Sequence, residues 1–97
     1  MDSGAYVYIL ASRKNGTLYV GVTTDLVKRV WQHKQGETGG FTRKYGVTQL
    51  VYHAAFVDLE TARSKERALK KWRRSWKIEL IENANPNWRD LYPDLLG

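Results

Sequence analysis

The stretch TLYVGVTTDLVKRVWQHK, Thr17 to Lys34, holds a tyrosine, an arginine and a histidine at spacings that could bring them to bear on one anion. Arg29 and His33 are four residues apart, so on a helix they share a face. A guanidinium offers a planar fork of N–H donors to an oxyanion, and an imidazole exchanges protons near neutral pH. Tyr19, at the end of a strand, adds a hydroxyl that can donate and accept. Each residue also has a packing alternative. Tyrosines are common on sheet faces, Arg29 is one turn from Asp25, and His33 could be an ordinary surface residue.

The elements that would position these groups are readable from periodicity. Leu18, Val20 and Val22 alternate with Thr17, Tyr19 and Gly21, the pattern of a half-buried strand. Asp25 is placed to cap a helix, since its side-chain oxygen can accept from a first-turn amide. Leu26/Val30 and Val27/Trp31 then form an apolar face. Upstream, YVYILASRKNGTLYVGV reads as two strands joined through Asn15-Gly16, a hairpin signal because both positions tolerate positive φ. A two-residue turn would pair Lys14 with Thr17, Ser12 with Tyr19 and Leu10 with Gly21. Tyr8 and Tyr19 would then face one side of the sheet, whereas a one-residue slip would separate them.

Downstream, Gln35 to Gly46 reads as a glycine-rich loop ending in GFTRKYG. Its Phe41, Arg43, Lys44 and Tyr45 suit nucleic-acid contact, cations to phosphate and rings to bases. Val47 to Phe56 is a third strand, with Leu50, Tyr52, Ala54 and Phe56 on one side and Val51, His53 and Ala55 on the other. Asp58 caps a second helix running to about Arg73, and Ser75 opens another that ends near Asn83. Asn85 and Pro86 would start a short closing helix with Trp88 and Leu91 inward. The predicted order is ββαβααα, a small three-stranded antiparallel sheet flanked by helices in an α+β fold.

At 97 residues, the chain is the length of one small domain, residues 1–97. It has no cysteine, which excludes disulfides and thiolate metal sites and agrees with a cytoplasmic protein. MDSGAYVYIL lacks the basic leader and apolar run of a secretory signal, and no segment is long enough to span a bilayer. The net charge is +6, and between Arg63 and Lys77 eight basic residues meet a single acid, Glu66. Arg63, Lys70, Arg73 and Arg74 in that run are candidates for phosphate-backbone contact. A solvated helical face explains the same run. Trp72 and Trp76, interleaved with it, read as core more readily than as a stacking platform.

Glu66 is out of place. On a helical wheel it falls inside the inward stripe of Leu59, Ala62, Leu69 and Trp72. A carboxylate there loses solvation unless it is paired or bound to a metal. One reading is a salt bridge to a neighbouring basic group. The other is a single oxygen ligand for a hard cation such as Mg²⁺, which keeps most of its water and so needs few protein ligands.

With these residues in view, YVY at Tyr6–Tyr8, YVG at Tyr19–Gly21 and an arginine on the following helix resemble the GIY-YIG nuclease superfamily. The stand-alone, single-domain bacterial members are most similar, through LYVGVTTDLVKRVWQHK, GFTRKYG, WKIELI and NPNWRDLYPDL. The resemblance implies a three-stranded antiparallel sheet and metal-dependent cleavage of phosphodiesters, with Mg²⁺ or Mn²⁺ as cofactor and DNA more than RNA as partner. It matches Tyr8 and Tyr19 to the two motif tyrosines, Arg29 to the helix arginine, His33 to a position carrying His or Tyr, and Glu66 to the metal-binding glutamate. Asn85 matches an asparagine that some members carry after the glutamate, with Asn83 and Asn87 close enough to take its place. Two positions depart from the family: Tyr6 stands where the first motif has glycine, and Val22 where some branches have lysine.

The resemblance implies repair- or recombination-type processing. A binding module that keeps the fold without cutting is the alternative, and the two departures make it conceivable. With no second domain attached, target choice falls to the Gln35–Gly46 loop, the basic helix or a protein partner. A single-strand cutter needs no dimer, while a double-strand cutter often does.

Overall fold

The strand AYVYILA, β1 (Ala5–Ala11), is the middle of a three-stranded antiparallel sheet, flanked by β2 (Leu18–Thr23) and β3 (Gln49–Phe56). Its central place explains its nearly continuous apolar sequence, because both faces of a central strand are covered. Alternate residues go to opposite sides. Ala5, Val7, Ile9 and Ala11 enter one core, and Tyr8 and Leu10 enter the other. The computed structural model describes residues 4–97, so Met1–Ser3 of the N-terminal stretch lie outside it.

Among the described residues five helices complete the α+β fold: α1 (Leu26–Lys34), α2 (Gly40–Tyr45), α3 (Leu59–Lys71), α4 (Arg74–Ala84) and α5 (Tyr92–Leu95). Ala62 and Leu69 of α3 and Ile81 of α4 pack with the first core. Leu26 and Val30 of α1, together with Leu91, Tyr92 and Leu95, pack with the second. The aspartate caps form as predicted: Asp25 Oδ1 accepts from Lys28 N at 3.2 Å and Asp58 Oδ1 from Thr61 N at 2.7 Å.

The hairpin loop holds four residues, not two: Ser12 N–H donates to the Thr17 carbonyl and Gly16 N–H to that of Arg13. Asn15 takes the left-handed φ of 59°. Pairing is therefore shifted by two, with Leu10 opposite Tyr19 and Tyr8 opposite Gly21. An even shift preserves facing, so Tyr8 and Tyr19 still share a side.

In β3 a bulge at Val51 lets Ile9 pair with Tyr52 and Leu10 with Leu50. Leu50 consequently joins the second core while Val51 and Tyr52 meet the first, against the simple alternation. Gln35–Gly46 is only partly loop, since residues 40–45 form α2, closed by Gly46 at φ 63°. No helix starts at Pro86: Asn85 ends α4, Trp88 turns inward at φ 57°, and the last helix begins at Tyr92. Val27 and Trp31 are exposed, so the apolar stripe of α1 is narrower than its sequence implied.

The C-terminal segment is clasped to the second face. Leu91 N–H donates to Leu50 O at 2.7 Å, and Asp90 Oδ1 accepts from Leu50 N and Tyr92 N. Lys34 Nζ reaches Asp90 Oδ2 at 2.6 Å and Thr48 O at 3.0 Å. Burial pushes the Asp90 carboxyl up, but these donors outweigh it and hold it below its ordinary value.

Candidate active site

Tyr8 points from β1 across the neighbouring strand, where its ring covers Gly21. A Cβ at Gly21 would stand 2.5 Å from Tyr8 Cζ and Oη, closer than such atoms approach. The glycine of YVG therefore makes room for the phenol. Beyond it, Tyr8 Oη and His33 Nε2 are 2.9 Å apart, with both residues buried. On the far side of the imidazole, Nδ1 meets Thr38 Oγ1 at 3.0 Å and Thr42 Oγ1 at 3.3 Å. The two hydroxyls are 2.9 Å from each other.

Burial dominates the acid–base character of this pair. It holds the Tyr8 phenol protonated, with its pKa pushed up to about 12; nearby Arg29 opposes that shift, while Tyr19 and Glu66 add to it. Burial also lowers His33 to about 4, helped by the Arg29 cation. At neutral pH both rings are uncharged. An uncharged imidazole beside a protonated phenol is a proton acceptor in waiting.

Tyr19 packs its ring 6.4 Å from that of Tyr8 and 5.3 Å from that of His33. With Arg29, His33, Thr38, Phe41 and Thr42 it lines a cleft of about 140 Å³. Arg29 is partly buried, and its Nη1 donates to Gln32 Oε1 at 3.3 Å. Asp25 is engaged as the α1 cap. The α1 spacing thus places a guanidinium and an imidazole together at one cleft, as helix geometry requires for residues four apart.

Glu66 lies at the inner edge of α3, its side chain 14% exposed and paired with the more exposed Lys70 at 2.9 Å. Its charge is near enough to act on the Tyr8 phenol. Among the described residues no group of three or more His, Cys, Asp or Glu side chains could hold a metal. The Lys70 pair is the salt bridge that the sequence offered as one reading, and the same largely buried carboxylate also fits a hard divalent ion that keeps most of its water. The carboxylate does not fit a metal needing a cage of protein ligands.

The other predicted residues spread more widely. Asn85 is buried, donates through Nδ2 to Val51 O and Arg89 O, and accepts from Arg89 N. Its hydrogen-bonding capacity is used in tying the end of α4 to β3, and it does not line the cleft. Arg43 and Lys44 are exposed on α2, whose Phe41 lines the cleft. Arg63 and Lys70 are exposed on α3, and Arg73 sits over the Trp76 ring at 5.0 Å. Arg74 donates to the Asn15 and Gly16 carbonyls, bracing the hairpin loop. The basic run is broken by the extended backbone of Trp72 and Arg73, so α3 and α4 are separate helices. Trp76, expected as core, is 49% exposed.

Thr38 and Thr42 are not among the residues that the sequence singles out. Their signal is slight, two hydroxyls flanking a glycine pair in TGGFT. In the sequence Gly21 reads as a strand and motif position, although its lack of a side chain is what admits Tyr8.

The GIY-YIG catalytic-domain family profile matches residues 4–79, which span Tyr8, Tyr19, Arg29, His33 and Glu66. The chain belongs to the GIY-YIG family. Similar relatives include a UPF0213 protein of Streptococcus pneumoniae serotype 4, 35% identical over 98 residues covering 100% of this chain and 98% of that one. A UPF0213 protein of Clostridium perfringens is 40% identical over 80 residues, 82% of this chain and 85% of the relative. The solution NMR structure of a UPF0213 protein from Bacillus halodurans superposes with a TM-score of 0.55 at 33% identity, covering 90% of this chain and 92% of that one. The GIY-YIG family is a nuclease family, and within its fold the two motif strands are β1 and β2.

Proposed function

We propose that this GIY-YIG protein is a cytoplasmic, divalent-metal-dependent endonuclease that hydrolyses phosphodiester bonds of nucleic acid, DNA in preference to RNA, in repair- or recombination-type processing. The observation that carries this reading is the meeting of Tyr19, Arg29 and His33 at one small cleft, with the buried Tyr8 hydroxyl 2.9 Å behind His33 Nε2.

Glu66 would hold Mg²⁺ or Mn²⁺, both hard ions, which when bound polarises the scissile phosphate and stabilises the leaving oxygen. The exposed, flexible Lys70 side chain can yield the carboxylate to such an ion. Arg29 donates to the equatorial phosphate oxygens, where negative charge grows, and one such donor is typically worth about 3–4 kcal/mol of barrier.

A protonated tyrosine is a poor base unless its own proton has somewhere to go. His33 supplies that place. As the water oxygen forms its bond to phosphorus, a water proton passes to Tyr8 Oη and the Tyr8 hydroxyl proton passes to His33 Nε2. The P–O bond to the leaving group breaks, and the leaving oxygen takes a proton from solvent. No free phenolate is needed, so the high Tyr8 pKa does not block the relay; the charge falls instead on His33, whose burial disfavours it. Tyr19, at the cleft wall, orients the water or the phosphate. Arg43 and Lys44 on α2, and the exposed cations of α3, hold the backbone. Among the described residues no helix is long and apolar enough to cross a membrane.

The deciding experiment is cleavage of labelled single-stranded, duplex, flap and branched DNA and of RNA, with Mg²⁺ or Mn²⁺ against EDTA, and Glu66→Ala in parallel. Metal-dependent cutting that vanishes in the variant is expected. Salt-sensitive binding without cutting on any substrate would replace the nuclease reading with that of a binding module.

A further inference from the structure

Tyr8 and His33 are held by groups that the nuclease reading leaves unused. We propose that Thr38 and Thr42 are positioning residues that accept from His33 Nδ1–H and so, together with the Tyr8 hydroxyl on the other nitrogen, hold His33 as its Nδ1–H tautomer, keeping Nε2 bare to accept from Tyr8. The catalytic consequence rests on the function proposed above; the tautomer itself does not.

The buried Tyr8 hydroxyl has His33 Nε2 as its hydrogen-bond neighbour at 2.9 Å, and the adjacent Arg29 guanidinium can only donate. Burial keeps the imidazole neutral, so it carries one proton on one nitrogen. With that proton on Nδ1, every donor has an acceptor. Tyr8 donates to Nε2, Nδ1–H to Thr38 Oγ1 at 3.0 Å, Thr38 to Thr42 Oγ1 at 2.9 Å, and Thr42 to the Gly39 carbonyl at 3.5 Å. The hydrogen bonds then run one way, from the phenol to the backbone of the α2 turn. With the proton on Nε2, that N–H donates to Tyr8 Oη, and the phenolic proton loses its acceptor in the pair. A buried donor left without a partner is disfavoured.

The same segment, residues 38–45, also carries Phe41, Arg43 and Lys44. The acceptors for Nδ1–H are thus built into the turn and helix that wall the cleft. When His33 takes the Tyr8 proton, its Nδ1–H already has an oxygen acceptor, so the imidazolium forms without reorientation.

The test is the ring-nitrogen NMR spectrum of ¹⁵N-histidine-labelled protein, with no substrate present. Wild type is expected to show His33 protonated at Nδ1 and bare at Nε2. Thr38→Val/Thr42→Val should populate both tautomers, and Thr38→Ser/Thr42→Ser should restore the first. Cleavage should follow, with kcat lower by about 10-fold or more in the double valine variant, toward the range for losing an acid–base group, KM little changed and the serine variant rescued. If the double variant does not fold, the single Thr38→Val, at a partly exposed site, serves instead. An Nε2–H tautomer in wild type, or an unchanged tautomer in the valine variants, overturns the proposal. A wild-type protein that shows the Nδ1–H tautomer but cuts nothing would count against the nuclease reading alone.

Discussion

Alternate residues of β1 serve two unlike surroundings. On one side Ala5, Val7, Ile9 and Ala11 pack into an apolar cluster with α3 and α4. On the other, Tyr8 delivers a buried hydroxyl to an imidazole and, through it, to two threonines. The first side is insensitive to where any one polar atom sits; its stability scales with apolar area removed from water. The second places a chain of polar groups at low exposure, where each depends on its neighbour for a partner. A strand of seven residues can serve both because period two separates them completely.

The sharpest way to test this division is to damage each side and see what is lost. Tyr8→Phe or Arg29→Ala should lower kcat/KM by about 10²- to 10⁴-fold, the range for losing an acid–base group or a charge-stabilising donor. Their thermal unfolding should show a folded protein. Ile9→Ala or Leu69→Ala should do the reverse, costing about 2–5 kcal/mol in urea titrations while the remaining folded fraction keeps its specific activity. Equal losses of activity per folded molecule on both sides would remove the distinction.

Gly21→Ala joins the two effects. Its Cβ must displace the Tyr8 ring, so a loss of activity is expected together with about 1–3 kcal/mol of overpacking. Restored cleavage in a variant that also shortens position 8 is not expected, because the hydroxyl would be gone.

The polar side should also be visible in pH dependence. His33 is lowered from 6.5 to about 4 by burial and by Arg29. Between those values the unfolded chain binds a proton at this position that the native state does not. Stability therefore falls as pH drops through that window, by at most about 1.4 kcal/mol per pH unit from this group. His53 is lowered as well, chiefly by burial, and acts with the same sign. Urea midpoints at pH 7 and pH 4.5 should converge most in His33→Gln, where the buried titrating group is removed. If His33→Gln leaves the pH slope unchanged, the native imidazole is not held neutral.

Asp90 governs a lower window. Its carboxyl is held below its ordinary value, so its contribution is present above about pH 4 and is lost as pH falls through the depressed native value. Asp90→Asn or Lys34→Met should cost about 1–2 kcal/mol at neutral pH, reduced from a fully buried pair because both side chains are partly exposed. The smallest effect is expected at the exposed cations. Arg63→Ala or Lys44→Ala should leave folding unchanged and, for each phosphate contact removed, flatten the salt dependence of duplex binding by about 0.9 in log–log slope.

Much of the fold was legible because local rules agreed with the tertiary outcome. Period-two alternation marked β2, Asn15-Gly16 marked the hairpin that joins it to β1, and aspartates marked two helix starts. The same-side placement of Tyr8 and Tyr19 survived a pairing error of two residues because facing depends only on parity. The spacing of Arg29 and His33 likewise put them on neighbouring turns whatever the helix packed against. Where several conformations satisfy the same local pattern, the reading failed. A glycine-rich segment can hold a short helix, a proline can follow a helix instead of starting one, and a bulge at Val51 moves Leu50 to the other face without any change in composition.

The sequence by itself determined the element types, the family, the shared face of the two motif tyrosines and the oddity of a carboxylate in an apolar stripe, because these follow from spacing along one chain. Tertiary structure alone decided that His33 is buried and neutral, that Thr38 and Thr42 hold its far nitrogen, that Gly21 exists to admit a phenol, and that Asn85 is consumed by backbone. Those are contacts between segments far apart or differently turned. Burial and hydrogen-bond partners belong to the packed molecule, and no spacing within a single element encodes them.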